Sequence, residues 1–388
     1  MHFKPTATSW IEVSKSALEN NILFIKKLLP EKCIFSAVVK GNAYGHDIEV
    51  YGSLAYSCGL RHFSVYSINE AYRLFHTINE NDYTILCLGN LNDEEMRWAI
   101  NHKVEFYINN LRSLDLAIAA AMDCEKKAVI HIEVETGMNR TGLESRGLEE
   151  VLELASSHPE YLYVKGVCTH LAGAESINNH ERIQNQIERF ESVKAAISRK
   201  GINVPQYHLA CSAVVLRYPE HLYDLARVGI MQYGFFPNNE TFIHYHLKNP
   251  DQTNPLKRVM SWKSRVIDIK VVAEGNYVGY GTSYYTDVDT KVAVIPVGYA
   301  YGYARSLSNH GRILINGHMV EVIGTINMNM LTVDVSNLPD VQIGDEVVLI
   351  GKQGKQEISV SSFSEFSNQL NYELLARLPL DIERILVE

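Results

Sequence analysis

Along the first 233 residues the chain repeats one texture, a short run rich in β-branched residues followed by a longer stretch with helical spacing. The short runs are 33–39, 62–67, 84–88, 104–108, 128–133, 162–168, 206–210 and 227–233. The longest intervening stretch, 181–200, places Ile183, Ile187, Phe190, Val193 and Ile197 three or four residues apart, which predicts one apolar face of a long helix. Ser16-Ala-Leu-Glu19 reads as a capping box ahead of an apolar-periodic stretch that reaches Leu29 and is stopped by Pro30. Eight β-then-α units predict a closed (β/α)8 barrel of parallel strands, and a doubly wound open sheet carries the same alternation.

From about Trp262 the texture changes to closely spaced strands, with little helix until Ser361. Two β runs around Asn316-Gly317 predict a hairpin with a type I′ turn. The expected organisation is a barrel over 14–240 and a mainly β domain over 241–388, joined by the N-terminal strand 1–13. The polar stretch 237–256, with three prolines, reads as the connection.

With 388 residues, 46% hydrophobic and 21% charged, the chain has the composition of a globular protein with room for a large core. The 36 Lys and Arg against 45 Asp and Glu give a formal charge of −9 without blocks of one sign, so nucleic acid and anionic membrane are not expected partners. The longest apolar run, 116–122, is far short of the roughly 20 residues of a membrane span. The N-terminus shows no apolar signal-peptide core, and the cytoplasm is the expected location. Six scattered cysteines, with no CxxC, predict neither a disulfide nor a metal site; Cys33, Cys87, Cys168 and Cys211 fall in apolar runs as small hydrophobes.

In a barrel, chemistry sits where strands end, so the polar residues that close each apolar run are informative. The first run closes on Lys40, where desolvation at a barrel mouth lowers an amine's pKa and makes it a nucleophile; a lysine snorkelling to solvent is the bland alternative. Later runs lead into Arg140, His170, Ser212, and Arg227 with Gly229-Ile230. Together these suit a phosphate-bearing cofactor with its phosphate at the last two units. Singly, Ser212 reads equally as a helix cap, and Arg140 as a structural partner of Glu133.

The run Ala37-Val-Val-Lys40-Gly-Asn-Ala-Tyr44-Gly-His46 resembles the cofactor-lysine signature of the alanine racemases. Glu135-Thr-Gly-Met-Asn-Arg140, Thr169-His170, Ala226-Arg227-Val-Gly229-Ile230, Gly279-Tyr280-Gly281 and Val297-Gly298-Tyr299 extend the resemblance over essentially the whole chain. It implies an amino-acid racemase using pyridoxal 5′-phosphate, with L- and D-alanine as the first expected substrates. By that resemblance Lys40 carries the cofactor covalently, and Tyr44, Ser212, Gly229, Ile230 and Tyr299 bind its phosphate. Arg227 faces the pyridine nitrogen, and Arg140, Met328 and Asn329 lie at the substrate. Lys40 and Tyr280 would be the two bases, with His170 and Arg227 in a polar chain behind the phenol. The resemblance also implies a head-to-tail homodimer whose partner completes the site.

Four positions depart from the family. Glu133 stands where many members carry a carbamylated lysine, and supplies a permanent negative charge to orient Arg140. Asn329 stands in place of an Asp. Ala376 stands in place of a Tyr, with Tyr301 replacing an Asp, which opens room for serine or larger substrates unless neighbours such as Tyr284 or Tyr301 fill it. Two rivals share the barrel. A basic amino-acid decarboxylase would need a cysteine motif in the β domain, and no cysteine follows Cys211. A non-catalytic cofactor carrier would normally be the barrel alone.

Overall fold

The computed structural model describes residues 7–251, 253–360, 363 and 371–388. The chain divides into two compact units. One comprises Met1–Ser16, Asn42–Tyr51 and Arg258–Glu388, and the other Ala17–Gly41 and Gly52–Lys257.

The chain opens with β1 (Ser9–Ser14), a member of the first unit, and then builds the barrel. The barrel strands are β2 (Ile34–Val38), β3 (His62–Val65), β4 (Thr84–Cys87), β5 (Glu105–Ile108), β6 (Ala128–Glu133), β7 (Leu162–Cys168), β8 (Gln206–His208), β9 (Ala210–Cys211) and β10 (Leu225–Val228). All neighbours pair in parallel, β10 pairs with β2, and β8 pairs with β7 while β9 pairs with β10. Since β8 and β9 are halves of one strand interrupted at Leu209, the ring closes with eight staves, and the open-sheet alternative falls.

Side chains alternate across the staves. Ala37, Phe63, Val65, Phe106, Ile108, Ile130 and Ile132 bury one face, while Ser36, His62, Ser64, Glu105, His131, His208 and Arg227 are buried on the other. Helices Ile68–Thr77, Asp93–Asn101 and Leu111–Cys124 begin with reciprocal caps, Ser67 with Glu70, Asn92 with Glu95 and Asn110 with Ser113. Each cap satisfies two N–H groups that helix geometry leaves without partners. Helix His180–Arg199 buries Ile183, Ile187, Phe190 and Ile197, with Gln186 on the same face.

Three local expectations need correction. The eighth apolar run is strand only to Val228; Ile230–Tyr233 is a 3-10 turn, whose sharper course follows from Gly229 at its start and Gly234 at φ 95°. The first helix starts at Lys15, directly off β1, so Ser16 lies inside its first turn rather than at the cap. Cys211 is half-buried, whereas Cys33, Cys87 and Cys168 are buried; all six cysteines are free.

In the other unit, β1 pairs with β11 (Met260–Arg265) and with β19 (Glu383–Val387). Between them in sequence lie β12 (Asp268–Val272), β13 (Thr290–Ile295), β14 (Arg312–Ile315), β15 (His318–Glu321), β16 (Leu331–Asp334), β17 (Glu346–Gln353) and β18 (Gln356–Ile358). Strands β15-β14-β17-β11-β1-β19 form one sheet and β12-β13-β16 a second. The β14–β15 hairpin turns at Asn316 (φ 51°) and Gly317 (φ 78°), the paired positive angles of a type I′ turn. The helix expected from Ser361 falls largely outside the described residues; Asn371–Ala376 is helical.

Candidate active site

Lys40 follows β2 at the barrel mouth and its side chain reaches solvent. Desolvation lowers its pKa most, the charges of Arg140 and Arg227 lower it further, and Glu70 opposes them. The backbone then makes a left-handed turn, with φ of 63° at Gly41, 54° at Asn42, 54° at Ala43 and 51° at Tyr44. A left-handed conformation costs an L-residue about 1–2 kcal/mol, so the surroundings must hold Asn42, Ala43 and Tyr44 in place. Two carboxamide or carboxylate clasps do this. Glu70 Oε1 accepts the Gly41 N–H at 2.6 Å, and Asn42 Oδ1 accepts the Ile48 N–H at 3.0 Å. Glu70 was not singled out from the sequence; its other oxygen accepts from the Tyr66 and Ser67 N–H groups at the start of its helix, and its bond to Gly41 is a tertiary event.

Arg227 is buried in the barrel. One guanidinium nitrogen bonds the His208 ring and the other donates to the Thr169 carbonyl at 2.8 Å. The His170 ring is not among its partners. Burial holds His170 at about 3, with the charges of Arg227, Arg140 and Lys40 adding to the effect, so this imidazole is neutral. Those couplings bring Lys40, Arg140, His170 and Arg227 within electrostatic reach of one another.

Ser212 opens the helix Ser212–Arg217, and its Oγ accepts the Gly229 N–H at 3.0 Å. With a lone pair so engaged, the hydroxyl hydrogen is left to donate elsewhere. Ile230 begins the 3-10 turn beside it, where helix geometry supplies no partner for the first N–H groups.

The loop before Arg140 is organised by Glu135 rather than by Glu133. Glu135 Oε1 accepts from Gly137 N–H, and Oε2 from Asn139 at 2.8 Å and Arg140 at 3.4 Å. Burial opposes ionisation of this carboxyl, but the backbone donors outweigh it and hold the pKa below the usual range. Glu133 is buried while Arg140 is exposed, and no ion pair joins them, which corrects the expected orienting role. From the helix His180–Arg199, Arg189 donates to the Thr136 carbonyl and Arg182 to the Gly137 carbonyl, and Gln186 donates to Thr136 Oγ1 and the His170 carbonyl.

The remaining candidate residues belong to the first unit. Tyr44 meets Tyr372 edge-on at 6.2 Å. Tyr280 is 72% exposed between Gly279 (φ 73°) and Gly281 (φ 70°). Tyr299 and Met328 are also exposed, and are brought together because Tyr299 N–H donates to the Asn327 carbonyl and Ala300 N–H to that of Met328. Gly298 permits this approach, since a Cβ there would lie 2.1 Å from the Asn327 oxygen. Asn329 is exposed beside Met328. Ala376 is exposed, and Tyr284 packs against Val278, Val292 and Ile323. Among the described residues no helix is long and apolar enough to cross a membrane.

Known proteins similar to this chain include alanine racemases that match it over both units. Residues 13–237 match the family model described as alanine racemase, N-terminal domain, and residues 259–386 match alanine racemase, C-terminal domain. The alanine racemase of Leptospira interrogans serovar copenhageni is 32% identical over 385 residues, 99% of this chain and 97% of that protein. The solved alanine racemase of Clostridium difficile 630 superposes with a TM-score of 0.90 at 26% identity, covering 99% of this chain and 97% of that one. That of Bartonella henselae, solved with covalently bound pyridoxal phosphate, gives a TM-score of 0.83 at 26% identity, covering 99% and 100%. A lysine-ended barrel strand facing two guanidiniums, a matching second unit, and relatives aligned from end to end lead to one assignment: the chain is an isomerase that belongs to the alanine racemase family.

Proposed function

We propose that the protein interconverts L- and D-alanine with pyridoxal 5′-phosphate, through a barrel domain over 14–240 and a β domain over 241–388 joined by the strand 1–13. The observation that carries this reading is the Lys40 amine, lowered in pKa by desolvation and by Arg140 and Arg227. The donor set suits the cofactor. An amine with a lowered pKa meets an aldehyde, and Ser212 O–H with the Gly229 and Ile230 turn meets a phosphate, to which Tyr44 and Tyr299 add hydroxyls.

When bound, the cofactor supplies an electron sink for negative charge at the substrate's α-carbon. Arg227, whose guanidinium keeps its protons, would donate toward the ring nitrogen and leave that nitrogen without a proton of its own, which would limit the sink and disfavour transamination. Arg140 offers its guanidinium to the substrate carboxylate, with Met328 and Asn329 at the substrate. Racemisation takes the proton from one side of the α-carbon and returns it on the other. Lys40 moves the proton on one side and Tyr280 on the other, with the neutral His170 polarising the phenol. A second copy of the chain completes the site as a homodimer; the 72% exposure of Tyr280 in one chain supports that reading.

The test is borohydride reduction of purified protein loaded with the cofactor, followed by digestion, and α-proton exchange in D2O across twenty amino acids. Cofactor fixed to Lys40 and exchange of both alanine enantiomers are expected. Label on another lysine, or no alanine exchange, overturns the proposal.

A further inference from the structure

A continuous file of polar side chains, half-buried at Lys165 and buried from Glu105 onward, crosses the barrel interior to Arg227. Lys165 on β7 bonds Oε1 of Glu105 on β5, and Glu105 Oε2 lies 2.9 Å from Nε2 of His131 on β6. Nδ1 of His131 lies 2.9 Å from Nε2 of His208 on β8, and Nδ1 of His208 meets Arg227. Gly166 on β7 makes the space, because a Cβ there would stand 2.2 Å from His131 Nδ1. The register shift in the β6–β7 pairing falls at the same residue.

The direction of every hydrogen bond in this file is determined by its two ends. A guanidinium only donates, so His208 Nδ1 accepts and its proton sits on Nε2. His131 Nδ1 then accepts that proton, and its own Nε2–H donates to the carboxylate, which only accepts. Burial lowers the pKa of both imidazoles, so both are neutral and each has the one proton this scheme assigns. Burial also opposes the charge on Glu105, yet its bond to His131 and the charge of Lys165 hold its carboxyl below the usual range, ionised at neutral pH.

We propose that Glu105 is a positioning residue for Arg227, acting through the tautomers of His131 and His208, so that Arg227 always meets a lone pair and its remaining N–H groups stay aimed at the site. The proposal rests on the reading of Arg227 as the residue facing the cofactor nitrogen. Among the described residues no carboxylate bonds Arg227; a negative charge two imidazoles away orients it instead.

Glu105→Gln tests this. With Lys165 taking the amide carbonyl, the amide NH2 faces His131 Nε2, both histidines turn over to the Nδ1–H form, and His208 meets Arg227 donor against donor. Adding Lys165→Met frees the carbonyl to accept from His131 and restores the original direction. Nitrogen-15 NMR of histidine-labelled full-length protein reads the tautomers without reference to turnover. Expected are Nε2–H on His131 and His208 in the parent, Nδ1–H in Glu105→Gln, and Nε2–H again in the double variant. In cofactor-loaded protein, kcat for alanine falls about tenfold in Glu105→Gln with little change in KM, and recovers in the double variant, which a merely structural loss would worsen. A parent with Nδ1–H on His208 overturns the proposal, even where the variants do not fold. So do parental tautomers in Glu105→Gln, or a double variant that fails to recover. Loading on Lys40, scored separately by borohydride, distinguishes these results from a failure of the functional reading.

Discussion

Gly166 and His131 occupy facing positions on neighbouring barrel strands, and a methyl group on the glycine would stand 2.2 Å from the imidazole Nδ1. The close approach seats a wide ring beside a narrow stave and aligns it between Glu105 and His208. Gly166→Ala is expected to destabilise the protein by about 1–3 kcal/mol, the usual cost of overpacking a full core, as read by chemical denaturation. Unchanged stability would show that the ring moves aside freely.

Glu70 joins the helix cap at Ser67 to the amide that follows Lys40, and its charge raises the lysine's pKa against the dominant lowering by desolvation. Glu70→Gln therefore lowers the Lys40 pKa further. The acid limb of the rate of Lys40 modification by a small aldehyde should shift to lower pH, and the lost cap should reduce stability by about 1 kcal/mol. An acid limb displaced to higher pH would contradict the assignment of the charge.

His46, His62 and His170 are held by burial at about 4, about 3 and about 3, below the ordinary value near 6.5. Between those values and 6.5 the unfolded chain binds a proton at each site that the folded chain does not. Stability therefore falls as pH drops below 6.5, by at most about 1.4 kcal/mol per pH unit for each histidine. Thermal melts from pH 7 to 5 should show the decline, and His62→Asn should flatten it. An equally steep slope in the variant would remove His62 from the account.

Two bases imply a split in the behaviour of the enantiomers. Tyr280→Phe should reduce α-proton exchange from one enantiomer of alanine about a hundredfold or more while sparing the other, in line with the usual contribution of a general base. Lys40→Ala with an added amine should show the reverse preference. Equal losses for both enantiomers in each variant would indicate one base.

Ala376 is exposed, and one helical turn earlier Tyr372 meets Tyr44 edge-on. If the space beside Ala376 admits larger substrates, each methylene contributes about 0.8 kcal/mol, or roughly fourfold in kcat/KM. Ala376→Tyr should then lower kcat/KM for serine and longer amino acids while sparing alanine. An unchanged ratio would mean that tyrosines such as Tyr372 already occupy that space.

Much of the fold was legible because its causes are local. A period of two with β-branched residues marks a stave, a period near 3.6 marks a helix, and Asn316-Gly317 requires the paired positive angles it adopts. The strand ends named Lys40, Arg140, His170, Ser212 and Arg227 because a barrel presents them on one rim. The reading failed where the chain turns for reasons outside the local pattern: Ile230–Tyr233 looks like strand, but Gly229 and Gly234 bend it into a 3-10 turn.

By itself the sequence determined the order of strands and helices, the lysine that ends the first stave and the glycines that allow sharp turns, since each follows from the preferences of a few adjacent residues. Only the tertiary structure decided that Glu135, not Glu133, clasps the Arg140 loop, that Glu70 holds the turn after Lys40, and that Glu105, His131 and His208 stand in file behind Arg227. The Glu135 clasp spans only two to five residues and depends on how its loop folds, whereas Glu70 reaches Gly41, and Glu105, His131 and His208 reach one another, between elements separated by tens of residues. Which polar groups share the barrel interior depends on stave register and closure, and no stretch of neighbouring residues encodes either.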